Sequence, residues 1–266
     1  MRELERDSKR LGAGALRVPI AVVGPGRVGR SLTRAAIDGG LEASLAGRRD
    51  AVAVCERSEI ALLCVPDDEI EAACEAVAIA VPPLRLVGHV SGATPLAALD
   101  SARRRGAEAF SLHPLQTVPD GATSLSGAAC AVSGSTHEAL ETAAALARHI
   151  GMRPFALDDE HRAAYHAAAS MASNFLVALE ESAAELLAEI GVEDARELLA
   201  PLILRSAANW AERGGDALTG PIARGDEETV ERHLEAIART RPELAELYRV
   251  LAERTRELAR GPEVAA

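Results

Sequence analysis

Several short stretches carry side chains able to do chemistry. Gly24-Pro25-Gly26-Arg27-Val28-Gly29 has G-x-G-x-x-G spacing after an apolar run and before a helical pattern. The first glycine permits a tight turn and the second lets the backbone approach a pyrophosphate. The third lets helix pack on strand, and the helix N-terminus faces the anion. The next apolar run ends in Gly47-Arg48-Arg49. An acidic residue there would hold ribose hydroxyls, whereas two arginines suit a 2′-phosphate, so the expected cofactor is NADP. The plain alternative is a pair of solvated arginines. Val65-Pro66-Asp67, Ser91-Gly92 and His113-Pro114 follow three further apolar runs. Ligands of doubly wound sheets bind outside the carboxyl ends of the strands, which brings these residues to one crevice. His113 can supply or accept a proton near neutral pH, or serve only a turn. Ser91 can contact substrate or cap a turn.

The rest of the chain adds a few candidates. Asn174 can donate and accept at once, which suits holding a carbonyl or hydroxyl, or joining two helices. In Leu218-Thr219-Gly220-Pro221-Ile222-Ala223-Arg224-Gly225-Asp226, Arg224 can clamp a carboxylate bidentately. Asp226 can equally be the N-cap of a following helix, with Glu227 and Glu228 in its first turn. Tyr165 and His166 read as structural.

Composition removes other chemistries. The 266 residues include one lysine, Lys9, so the other 28 of the 29 basic residues are arginines. A pyridoxal Schiff base, a Walker lysine or a lysine acid has no residue to supply it in the body of the fold. Arginine stays protonated and is no substitute. The net charge of −11 argues against nucleic acid and anionic membrane as partners. Cys55, Cys64, Cys74 and Cys130 show no CxxC pair and no histidine at metal-ligand spacing. They read as buried reduced thiols of a cytoplasmic protein. The first ten residues carry seven charges, unlike a signal peptide, and no run reads as a membrane span.

These residues need elements to position them. Strands are expected at 18–23, 43–46, 60–65, 84–90, 108–112, 128–132 and 153–157. Helical patterns lie between most of them, including 95–105 and 136–150. Alternation of this kind gives an α/β fold, a doubly wound and mainly parallel Rossmann sheet. Its almost wholly apolar strands are covered on both faces. No strand is expected after residue 157; helices are expected over 159–190, 193–213, 226–239 and 242–260. The expected organisation is a charged tail (1–17), an NADP-binding Rossmann domain (18–158) and an all-helical substrate and dimerisation domain (159–266). From Ala163 to Leu179 there is no Asp, Glu, Lys or Arg. Met171, Phe175, Leu179, Leu186 and Ile190 form an apolar stripe opposite His166, Ser170, Ser173 and Asn174. A helix without charges on either side is expected to be enclosed.

A Rossmann domain followed by a helical one resembles the 6-phosphogluconate dehydrogenase-like superfamily, which includes β-hydroxyacid, prephenate, ketopantoate and pyrroline-carboxylate enzymes. Ser111-Leu112-His113-Pro114-Leu115-Gln116-Thr117 and the 218–226 loop resemble, more closely, the family that pairs a Rossmann-like domain with the domain of unknown function 2520. The resemblance covers about residues 18–260. Ser91-Gly92 is similar to the substrate-binding serine-glycine of β-hydroxyacid dehydrogenases. Ser91 with His113-Pro114 is similar to the serine and histidine-proline of prephenate dehydrogenases, and Asn174 to the superfamily's interdomain asparagine. Where many members carry a lysine one turn before that asparagine, this chain has Ser170. The resemblance implies an NADP-dependent oxidoreductase acting on a small 2-keto or 2-hydroxy acid, with ketopantoate the named candidate. The candidate catalytic residues are then His113, Ser91 and Asn174. Gly24, Pro25, Gly26, Arg27, Val28, Gly29, Arg48, Arg49, Val65 and Pro66 would hold the cofactor, Gln116 and Arg224 the substrate. A homodimer is expected. A cyclohexadienyl acid as in prephenate dehydrogenases, and an NADP-binding sensor or scaffold without turnover, are the alternatives.

Overall fold

The computed structural model describes residues 18–261; the expected charged tail, 1–17, lies outside the described residues. Seven strands form one sheet in the order β2-β1-β3-β4-β5-β6-β7. They are β1 (Ile20–Val23), β2 (Ala43–Ala46), β3 (Ile60–Leu63), β4 (Leu86–His89), β5 (Glu108–Leu115), β6 (Ala129–Gly134) and β7 (Arg153–Ala156). β1 lies between β2 and β3, with Ile20 opposite both Ala43 and Ile60. All neighbours are parallel except β5 and β6. The strand order reverses direction at β1, the topological switch beside which doubly wound sheets bind their ligands.

Successive residues of each central strand face opposite sides. Ile20, Val22, Ile60 and Leu62 pack under α1 (Arg27–Asp38) and α5 (His137–His149), with Leu32, Ala36, Ala143 and Leu146. Ala21, Val23, Ala61 and Leu63 pack under α2 (Ala51–Cys55), α3 (Ile70–Val77) and α4 (Asp100–Arg103), with Val54, Cys74 and Ala102. Each fully buried Leu or Ile contributes about 1.5–3 kcal/mol by leaving water. The apolar strands of the sequence are thus a consequence of a sheet covered on both faces.

The helix expected over 95–105 is a 3-10 turn (Leu96–Leu99) followed by the four-residue α4, and two other elements differ further from expectation. β5 was expected to end at residue 112 but continues to Leu115. Its first half, Glu108–Ser111, pairs with all of β4, and its second half passes the carboxyl edge of the parallel sheet. There it is held by antiparallel β6 alone, with His113 opposite Ala131 and Pro114 opposite Cys130. Pro114 has no N–H to give, and it stands where β5 has a neighbour on one side only.

The long helix expected over 159–190 is broken instead. A 3-10 turn (Asp159–His161) leads into α6 (Arg162–Ala172), and α7 (Asn174–Glu189) starts afresh after Ser173, whose φ of −129° and ψ of −78° leave the helical region. The Ser173 carbonyl accepts from Val177, so Ser173 opens α7 as its N-cap residue. The expected enclosure is not found among the described residues: Met171, Phe175 and Val177 are all more than 60% exposed.

The chain divides into two compact units between Ser170 and Met171. The second contains α7, α8 (Ala195–Arg213), α9 (Glu227–Thr240) and α10 (Ala245–Arg260), with short 3-10 turns between them. Asp226 caps α9 by accepting from the Thr229 N–H at 3.1 Å.

Candidate functional site

The glycine motif forms the turn from β1 into α1. Gly24 has φ +115°, and a Cβ there would strike the Cys64 carbonyl, so only glycine fits. A Cβ at Gly26 would meet nothing within 4 Å, which leaves its backbone open to a ligand. α1 has no acidic residue in its first turn, so nothing there opposes an anion at its N-terminus. A cleft of about 530 Å3 opens at this edge, lined by Gly24, Pro25, Gly26, Arg48, Val65 and Pro66 among others. Arg27, Val28, Gly29 and Arg49 are not among its lining residues. Val28 packs on the core beneath α1, and a side chain at Gly29 would strike the Gly24 carbonyl.

Arg48 stands at the cleft with Glu69, its guanidinium donating to a Glu69 carboxylate oxygen at 3.0 Å. Arg48 is 86% exposed in its side chain, so the pair is worth about 0–1 kcal/mol and opens readily for a competing anion. An open glycine turn, a helix N-terminus free of carboxylates and an arginine at the cleft fit the phosphates of a dinucleotide.

A second group of side chains lies in the same unit. Ser91 follows β4, and its hydroxyl donates to Asp67 at 2.8 Å while accepting from the N–H groups of Ala93 and Thr94 at 3.2 and 3.0 Å. Its one proton is committed to Asp67, after β3. His113, on the overhanging half of β5, makes a 2.6 Å hydrogen bond between Nδ1 and the Tyr165 hydroxyl of α6. The rings meet edge to face, with centroids 5.5 Å apart. His166 packs against His113 at 6.0 Å. Gly92 lies between the two histidines: a Cβ there would come within 2.8 Å of His166 Nδ1 and 3.0 Å of His113 Nε2. Burial, His166 and Arg162 push the His113 pKa down to about 4 against a weaker pull from Asp67. The imidazole is therefore neutral at pH 7.

Arg162 fixes the floor of this group. It is 2% exposed, and its Nε donates to Asp159 at 2.5 Å. Its Nη2 donates to the hydroxyls of Ser111 at 2.5 Å and Ser133 at 2.8 Å. The other Asp159 oxygen accepts from the Leu96 N–H at 2.9 Å, and the Ser133 hydroxyl donates to the Leu157 carbonyl. One guanidinium thus ties β5 and β6 to the start of α6. His89, at the end of β4, is wholly buried nearby, and burial and Arg162 lower its pKa to about 4.

The structure therefore brings Ser91 and His113 into one unit with the glycine turn. Asn174 opens α7 and Arg224 ends a 3-10 turn (Ile222–Arg224); both are exposed and belong to the second unit. Gln116 is exposed just beyond β5. Sequence reasoning left Tyr165 and His166 as structural, placed Asp67 at the crevice without a role, and did not single out Arg162 or Asp159 for the site. The available signal was local: Tyr165-His166 and Arg162 lie on the same helix, one turn apart.

A Rossmann-like domain model matches residues 46–114, and the model described as domain of unknown function (DUF2520) matches residues 128–255. No curated protein matches the sequence. Among solved structures, a candidate NADP oxidoreductase of Bacteroides fragilis aligns with TM-score 0.73 at 21% identity, over 91% of this chain and 98% of that one. A Thermotoga maritima protein aligns with TM-score 0.72 at 22% identity, also over 91% and 98%. The Aspergillus terreus reductive aminase, solved with NADPH and ethyl-5-oxohexanoate, aligns with TM-score 0.66 at 18% identity over 92% and 96%. At these identities the likeness is one of fold. The matches are consecutive along the sequence: a Rossmann-like region comes first and a DUF2520 region follows it.

Proposed function

We propose that the protein is an NADP-dependent oxidoreductase acting on a small 2-keto or 2-hydroxy acid, ketopantoate among them. The observation that carries this reading is a half-buried histidine on the strand that overhangs the carboxyl edge of a sheet whose first turn is an open glycine motif. The description of the Bacteroides neighbour as an NADP oxidoreductase and the NADPH bound to the Aspergillus enzyme are in keeping with it.

NADP(H), when bound, supplies or takes up the hydride. The chain's own residues do the rest. The Gly24–Gly26 backbone and the α1 N-terminus would hold the phosphates, and Arg48 would meet the 2′-phosphate in place of Glu69. His113 hydrogen-bonds the reacting oxygen as a neutral imidazole, which polarises a carbonyl without first titrating. Ser91 and Asp67 hold the turn that carries Gly92 against it. Asn174 and Arg224 remain candidates for substrate contact, to be read from KM on substitution.

The test is calorimetric titration with NADPH and NADH, followed by a panel of 2-keto acids monitored by NADPH absorbance. NADPH is expected to bind at least tenfold more tightly than NADH, with Arg48→Ala removing most of that preference. His113→Ala is expected to lower turnover by about 10²–10³-fold with NADPH affinity unchanged. Tight NADPH binding with a silent panel, and no effect of His113→Ala on any ligand, would leave a binding protein without turnover. Activity with a cyclohexadienyl acid alone would move the substrate to that class.

A further inference from the structure

His113 has two ring nitrogens, and only one of them is engaged. Nδ1 meets the Tyr165 hydroxyl, while Nε2 lies against Gly92 with no hydrogen-bond partner among the described residues. A 2.6 Å separation is short for an N–H···O bond, which centres near 2.9–3.0 Å, and suits a hydroxyl as donor. The phenol itself is held from behind, edge-on to Phe155 at 5.9 Å. The choice of donor matters, because a neutral imidazole carries one proton and the bond at one nitrogen decides the character of the other.

We propose that Tyr165 is a positioning residue for His113: its hydroxyl donates to Nδ1, fixes the single imidazole proton on Nε2, and so presents an N–H donor beside Gly92 to the substrate's carbonyl oxygen. This rests on the reading of His113 as the group at the reacting oxygen. The ionisable and charged groups facing His113 from the packed elements are Tyr165, His166 and Arg162 on α6, Asp67 after β3 and His89 at the end of β4. Burial raises the Tyr165 pKa to about 12, so the phenol keeps the proton it donates across the working pH range. Arg162 and His166 both oppose a second proton on the ring. The inverse arrangement, Nδ1–H donating to the phenol oxygen, would leave Nε2 an acceptor, suited to an alcohol and not to a carbonyl.

Long-range proton–nitrogen NMR spectra of 15N-histidine-labelled protein at pH 7.5 read the tautomer directly. His113 is assigned by the signal missing from His113→Asn. The expected wild-type pattern is a protonated Nε2 and an unprotonated, hydrogen-bonded Nδ1, with Tyr165→Phe giving a mixture of tautomers. In the keto-acid assay Tyr165→Phe is expected to lower kcat by at least tenfold, with KM and NADPH affinity within twofold of wild type. An Nδ1-protonated ring in the wild type overturns the proposal, as does an unchanged His113 signal in Tyr165→Phe. The wild-type spectrum decides even if the variant fails to fold. It also decides without turnover, so a silent keto-acid panel counts against the oxidoreductase reading and leaves the tautomer to the spectrum.

Discussion

Arg162 has given up nearly all contact with water and holds a carboxylate and two hydroxyls in return. A buried guanidinium placed this way also acts on its neighbours through charge. His89 and His113 are both held near pKa 4, below the ordinary value of about 6.5, chiefly by burial and in part by Arg162. The sign follows from proton counting. Above pH 6.5 neither the folded nor the unfolded chain protonates these rings, and their contribution to stability is complete. Between pH 6.5 and 4 the unfolded chain binds protons that the folded chain refuses, so stability falls as pH falls. The melting temperature is expected to drop steadily over that window, and the drop to be shallower in His89→Gln. An identical slope in the variant, followed by circular dichroism at half-unit pH steps, would remove His89 from the account. None of this was legible in the sequence. Arg162 and Ser111 are 51 positions apart, and a histidine reads the same whether its neighbour is water or a buried arginine. The glycine motif was legible because its meaning lies within six consecutive residues.

At the scale of elements, the turn from β1 to α1 combines a positive φ at Gly24 with close approach to the Cys64 carbonyl. Gly24→Ala is therefore expected to cost at least ~1 kcal/mol. The expected readouts are a melting temperature lower by several degrees and weaker NADPH binding; a variant matching wild type in both would show that the turn relaxes without cost. The strands were readable as apolar β-branched runs, and β2 is found at its expected limits. β5 was read too short because His113-Pro114 resembles a strand end locally. The antiparallel partner that carries the strand onward begins fourteen residues later, at Ala129. The break at Ser173 escaped notice for a related reason. Helical periodicity continues through it, while one residue's backbone departs from the helix.

At the scale of the molecule, the two-layer covering of the sheet and the change to an all-helical second half were both legible, since each extends over many residues. Exposed Met171, Phe175 and Val177, in a stretch without charges, are expected to pair two chains as a homodimer. Light scattering should then give twice the 27.8 kDa chain mass, and Phe175→Glu should return it to one; a monomeric wild type at micromolar concentration would refute the pairing. The covering of the sheet has a different use. Cys64 and Cys130 lie in the core on one side, Cys55 and Cys74 in the core on the other, and all four are free and buried. Nature has in effect placed two chemical clocks in each layer. A thiol-alkylating reagent reaches a given sulfur only when its layer opens, and peptide mass spectrometry separates the four sites. Their relative labelling rates tell whether the Rossmann unit breathes as one body or one side at a time, with no engineered probe.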